Sequence, residues 1–276
     1  MGQMMNVRIL QTAVCGVQVR GREKSAGVRP QRNPYKTNIT GEYFMSLIGI
    51  IGAMAEEVAE LKDRMSEADI REKAGMKFYR GVLEGKPAVV VQSGVGKVNA
   101  AMCTQILVDD YHVDYVINTG IAGSLQNRID IGDIVLSSEA VQHDMDATVW
   151  GYQPGQVPGM DVYRFPGDEK LIALAEKVNA EVNPEIHTFR GTVVSGDQFI
   201  SDHEVKTRLA ENFHGYCAEM EGASIAQTAW RNGVPFLVIR VISDKADGSA
   251  VADDNTFTAD CVKHCVRLVC GMIRRI

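Results

Sequence analysis

Apolar positions in this chain arrive in short unbroken runs separated by longer amphipathic stretches. Residues 47–52 are uncharged and almost wholly apolar, the pattern of a strand buried on both faces. Comparable runs recur at 88–92, 115–119, 134–138, 192–195 and 236–242. Between them, residues 56–65, 97–111, 169–180, 221–232 and 257–275 read as helices. Strands alternating with helices predict an α/β domain with a mostly parallel or mixed central sheet. No Pro/Gly/Ser-rich linker, low-complexity tract or internal repeat interrupts the pattern, so residues 45–276 read as one domain.

Residues 1–44 do not share this pattern. They carry Arg8, Arg20, Arg22, Lys24, Arg29, Arg32 and Lys36 against only Glu23 and Glu42, with no sustained helix or strand period. The segment reads as an extension outside the core. An organellar transit peptide and an upstream extension from a misassigned start codon both fit it. The second is favoured, because Met45 opens directly onto the first buried run.

The whole chain has 276 residues, 45% of them hydrophobic, enough for a sizeable core, and a net charge of −6. A negative protein lacks the positive field that nucleic acid or an anionic membrane condenses on, so a small molecule is the expected ligand. No apolar run reaches the ~18 to 20 residues needed to cross a bilayer, and no secretory hydrophobic core opens the chain. The cytoplasm is the expected compartment. Cys15, Cys103, Cys217, Cys261, Cys265 and Cys270 form no C-x-x-C pair and have no His at zinc-ligand spacing, which predicts free thiols and no metal. The last three fit a core-facing stripe on the final helix.

Three acidic segments, each at the end of a strand-like run, stand out: Gly52-Ala53-Met54-Ala55-Glu56-Glu57, Ala218-Glu219-Met220-Glu221 and Val241-Ile242-Ser243-Asp244. In α/β sheets ligands gather at strand C-termini. Carboxylates brought together there can divide general acid and general base work, the chemistry of cleaving a glycosidic bond. Glu56 is accounted for by the positive end of a helix, whereas Glu57 is functional only where a pocket faces it. Strand alternation would send Glu219 and Glu221 to one face and Met220 to the other, with ribose hydroxyls as suitable donors between the two charges. Asp244 closes the most hydrophobic run, where desolvation favours the protonated form that a general acid needs and Ser243 can hold it. An Asp capping the next loop or helix is the plainer alternative.

Two small-residue turns, Ser93-Gly94-Val95-Gly96-Lys97 and Asn118-Thr119-Gly120-Ile121-Ala122-Gly123, close neighbouring strands. Each reads equally as a tight turn or a ligand cradle, and neither is a dinucleotide or Walker fingerprint. His143-Asp144-Met145-Asp146 lacks a second His for a metal and reads as support for the loop at 151–159. No Gly-x-Ser-x-Gly elbow is present, which disfavours a serine hydrolase.

In order along residues 45–276, these segments, with Gly155-Gln156-Val157-Pro158-Gly159 and Ser195-Gly196-Asp197-Gln198-Phe199-Ile200, resemble the bacterial 5'-methylthioadenosine/S-adenosylhomocysteine nucleosidases. The resemblance implies the three-layer nucleoside-phosphorylase-like fold, a mixed central sheet flanked by helices, and a homodimer whose partner helps close the alkylthio pocket. It implies hydrolysis of adenine thionucleosides with neither metal nor cofactor. By the same resemblance, Glu57 activates water, Asp244 protonates adenine N7 and Ser243 orients Asp244. Glu221 grips the ribose hydroxyls beside Glu219, Met220 packs on the sugar, Phe199 stacks on adenine and the backbone of Ile200 reads its edge. Ile121 departs from the family, which commonly has Ser there, so a hydroxyl beside the water or ribose is missing.

Three readings stay open beside it. A purine nucleoside phosphorylase would need Arg or backbone donors for phosphate at the first strand-to-helix turn, where Glu56 and Glu57 stand instead. A non-enzymatic adenosine sensor would need no acid and base. The third has aminodeoxyfutalosine as main substrate in place of the thionucleosides, since scattered apolar residues build the pocket for the 5'-substituent.

Overall fold

The computed structural model describes residues 45–246 and 255–276. The basic leader and Cys15 lie outside the described residues. The first buried run forms β1 (Ile48–Gly52), all five residues buried, and the chain turns at once into α1 (Ala55–Asp63). There Glu57 accepts the N–H of Met54 that the helix leaves unpaired. There follow β2 (Ser66–Lys73), β3 (Met76–Leu83), β4 (Lys86–Gln92), α2 (Lys97–Asp109), β5 (Tyr115–Ser124), β6 (Ile134–Gln142) and the two-residue β7 (Phe165–Pro166). The chain continues through α3 (Glu169–Val182), β8 (Thr188–Ser195), α4 (His203–Phe213), β9 (Gly215–Glu219), α5 (Gly222–Arg231), β10 (Phe236–Asp244) and α6 (Asn255–Ile273).

The sheet is mixed, as the alternation of elements requires. β1 lies parallel to β4 and β5, and β5 lies parallel to β10. β10 then pairs antiparallel with β6, β6 parallel with β8, β8 parallel with β9, and β9 antiparallel with the end of β5. These five strands therefore close a ring, from which β1, β4, β3 and β2 extend. Periodicity carries no trace of this closure, because it depends on which edges meet.

Successive strand residues enter opposite layers. Val116 joins a core with Cys103 and Leu107 of α2 and Ala226 and Ala229 of α5, whereas Ile117 joins one with Val58 of α1, Ile172 of α3 and Val269 of α6. Cys261, Cys265 and Cys270 all belong to the second core, as a core-facing stripe, and the five cysteines among the described residues are free and buried.

The β2–β3 hairpin is absent from the sequence reading for a physical reason. All eight residues of β2 are exposed, so nothing in it alternates. β3 carries the anchor: Phe78 is fully buried, pairs with Val91 and stacks on Tyr111 at a centroid distance of 5.3 Å. Phe78→Ala is expected to cost about 3–5 kcal/mol of stability, read from the urea midpoint and slope.

Candidate active site

The C-terminal ends of β1, β4, β5, β8, β9 and β10 bring the three acidic segments together. Glu57, only 3% exposed, directs its carboxylate back at the strand ends. Its Oε2 accepts the N–H groups of Ala53 (2.6 Å) and Met54 (3.0 Å), and its Oε1 accepts the N–H of Ile121 (3.0 Å). Ile121 thus meets Glu57 through its backbone, while its half-buried side chain packs on the core beneath. Glu56 is exposed. Gly120 is required for this closeness, since a Cβ there would collide with both Glu57 Oε1 and Arg240 Nη1.

Glu219 and Glu221 do not alternate on one strand face, as the sequence reading had them. β9 stops at Glu219, and Glu221 stands at the N-terminus of α5, so two different elements supply the carboxylates. The donor that separates them is a side chain. Arg240, fully buried in β10, bonds Glu219, lies 3.4 Å from Glu221 Oε2 and donates to Asn118 Oδ1 at 2.7 Å. Burial works against the guanidinium's charge, but Glu219 and Glu221 outweigh it and hold Arg240 protonated more firmly than usual. Glu219 also accepts from Ser195 Oγ and from the N–H groups of Glu221 (3.0 Å) and Gly222 (2.7 Å). Those bonds anchor the β9–α5 turn.

Glu221 keeps more freedom, for Oε1 has one N–H partner, Gly96 at 2.9 Å, and Oε2 faces Arg240. Burial, reinforced by the neighbouring Glu219, pushes its carboxyl up to about 7. The glycine turn after β4 is thus a cradle for this carboxylate, with positive φ at Gly94 (83°) and Gly96 (97°). Met220 is half-buried between the two glutamates.

Asp244 ends β10 beside β5, where a Cβ on Gly123 would meet its Oδ1. Ser243 Oγ donates to Oδ2 at 2.9 Å and the N–H of Ala246 donates to Oδ1 at 2.8 Å. Beyond β8, Ile200 is buried, whereas Phe199 is 73% exposed.

The His143-Asp144-Met145-Asp146 segment braces the loop at 151–159, where the N–H of Gly155 donates to the Met145 carbonyl (2.9 Å), and it also braces turns at the site. Burial would raise Asp144, but Lys97 Nζ (2.6 Å) and the N–H of Asp197 (3.0 Å) outweigh it and hold its carboxyl below the usual range. With Lys97 N–H bonded to Asp197 (2.8 Å), the glycine turn is tied to the ends of β6 and β8. Arg240, Asn118 and Ser195 went unassigned in the sequence. The legible signal was Arg240 itself, one cation in the apolar run 236–242, which must find carboxylates.

This mixed sheet with buried carboxylates gathered at its strand ends belongs to the phosphorylase superfamily, whose family model matches residues 47–274. A curated relative, the 5'-methylthioadenosine/S-adenosylhomocysteine nucleosidase of Geobacillus sp. (strain WCH70), is 41% identical over 227 residues, 82% of this chain and 97% of the relative. Among solved structures, that of the same-named enzyme from Colwellia psychrerythraea 34H in complex with adenine superposes with a TM-score of 0.79 at 39% identity, covering 83% of this chain and 95% of that one. The Neisseria meningitidis enzyme in complex with methylthio-immucillin-A gives 0.80 at 34% identity, covering 84% and 100%. The chain belongs to the 5'-methylthioadenosine/S-adenosylhomocysteine nucleosidase family.

The raised carboxyl of Glu221 has a thermodynamic consequence. Between 4.5 and about 7 the folded chain keeps a proton that the unfolded chain has lost. Stability contributed by this group therefore falls as pH rises through that window. Denaturant midpoints on either side of the window should show the fall in the wild type and a flatter profile in Glu221→Gln.

Proposed function

We propose that this chain is a hydrolase of N-glycosyl bonds that releases adenine from 5'-methylthioadenosine and S-adenosylhomocysteine. Family membership supports the reaction, and one observation carries the assignment of roles: two buried carboxylates with different partners meet the same strand, Glu57 at Gly120 and Ile121, Asp244 at Gly123. Glu57 accepts a proton from water as the water oxygen bonds to C1' of the ribose. The electron pair of the C1'–N9 bond leaves with adenine, and Asp244, held by Ser243, delivers a proton to N7. Each proton transfer is worth roughly 10²- to 10⁴-fold in rate. Glu221 accepts the ribose hydroxyls, with Met220 against the sugar and Glu219 holding the turn. Phe199 and the Ile200 backbone take the base.

Water rather than phosphate is the nucleophile on this reading. The N–H groups of Ala53 and Met54, the donors an anion would use at the first turn, are already bonded to Glu57. A second copy of the chain completes the alkylthio pocket. The exposed apolar side chains Val95 (49%), Val98 (76%) and Met102 (38%), at and after the glycine turn, support such a homodimer. Buried free thiols suit the cytoplasm.

Glu57→Gln and Asp244→Asn should each retain the fold and lose at least ~10²-fold in kcat on methylthioadenosine. The same assay in phosphate buffer should yield methylthioribose. A methylthioribose 1-phosphate product would move the chain to the phosphorylases.

We place the working domain at residues 45–276, in line with the family match from residue 47. A chain starting at Met45 should fold, dimerise and turn over substrate like the full chain, as judged by sedimentation and kinetics. A sharply raised KM in the shortened chain would give the leader a part in the dimer or the pocket.

A further inference from the structure

One buried cation near the site has no part in the chemistry described so far. Lys206 lies in the first turn of α4 and is only 5% exposed, although it carries an ammonium group that is costly to desolvate. Its Nζ donates to the carbonyl oxygen of Lys245 at 2.5 Å. That carbonyl and the N–H of Ala246 belong to a single peptide unit, which is a rigid plane. The N–H end of the same unit donates to Asp244 Oδ1 at 2.8 Å. Pulling on one end of the plane therefore sets the direction of the other. A hydrogen bond to a carbonyl also polarises the amide and strengthens its N–H as a donor.

The surroundings make this plane a fixed part rather than a loose loop. Lys245 sends its own ammonium the other way, to the carbonyl of Ile129 (2.6 Å) and Asp130 Oδ1 (2.9 Å). Ala246 holds a positive φ of 51°, a conformation disfavoured for a residue with a Cβ and kept only where neighbours impose it. Its methyl packs in a small core with Ile200, Leu209 and Phe213. α4 starts at His203, three positions after Ile200, and Asp202 caps it by accepting the N–H groups of Glu204 (2.9 Å) and Val205 (3.0 Å). Lys206 thus ties the segment read as the adenine wall to the segment that bears Asp244.

We propose that Lys206 is a positioning residue for proton delivery to the leaving base: it fixes the plane of the Lys245–Ala246 peptide, and that peptide's N–H fixes the rotation of the Asp244 carboxyl. The inference rests on the reading of Asp244 as the acid. Ser243 Oγ secures Oδ2, so the two carboxyl oxygens are held from opposite ends, one by a neighbouring hydroxyl and one through Lys206.

The test is Lys206→Met, which keeps the apolar length and removes the donor, beside Lys206→Arg and Asp244→Asn. Misplacing a catalytic group by about 1 Å costs on the order of 10²-fold, so Lys206→Met is expected to lose ~10- to 100-fold in kcat on methylthioadenosine. Its affinity for the 7-deaza analogue, which offers no N7 to protonate, should stay within about threefold, a change too small for a rebuilt pocket. Lys206→Arg, which restores a charged donor, should recover most of the turnover. If Lys206→Met does not fold, Lys206→Leu, which also lacks a donor, gives the same split between kcat and affinity. An unchanged kcat overturns the proposal. So does a parallel loss of kcat and analogue affinity that Arg does not rescue, for that would make Lys206 merely structural. A wild-type rate in Asp244→Asn would instead remove the acid assignment itself.

Discussion

Arg240 carries a full positive charge into the middle of the sheet, where desolvation alone would cost several kcal/mol. The cost is offset because Glu219, Glu221 and Asn118 converge on one guanidinium. Without that cation, two carboxylates two residues apart at the β9–α5 turn would repel in a low-dielectric pocket. With it, Glu219 is bonded to Arg240 and to the β9–α5 turn, and Glu221 remains a carboxylate whose affinity for protons is raised by burial and by its neighbour. The different surroundings of Glu219 and Glu221 follow from where Arg240 sits.

Close approach of backbone and charge is the second constraint. Gly120 leaves room for Arg240 and Glu57 together, and Gly123 leaves room for Asp244. Both lie on β5, the strand that joins the closed ring to the β1–β4 extension, so one strand measures the separation between the two carboxylates. Glu57 is held by three backbone N–H groups, and Asp244 by a hydroxyl and one N–H.

Much of this was legible in advance. The apolar runs at β1 and β10 are continuous because both faces of these strands are covered, and each ends where its acidic residues begin. Glu57 and Asp244 could therefore be picked out as strand-end carboxylates, and Ser243 as the neighbour that holds one of them. The β2–β3 hairpin could not, since β2 buries nothing. Glu219 and Glu221 are legible as a pair but not in their geometry: a period of two holds only within a strand, and β9 stops at the first of them.

The sequence by itself determined the order of elements, the buried faces of the strands and the chemical kind of the site, because these depend on local patterns of apolar and acidic residues. The tertiary structure decided which partners each carboxylate meets. Ring closure of the sheet brings β10 against β5 and β9 around β8, and only then does Arg240 meet Glu219 across 21 positions of chain and Asn118 across 122. No local pattern encodes those distances, and the charged contacts around Glu219 and Glu221 come from them.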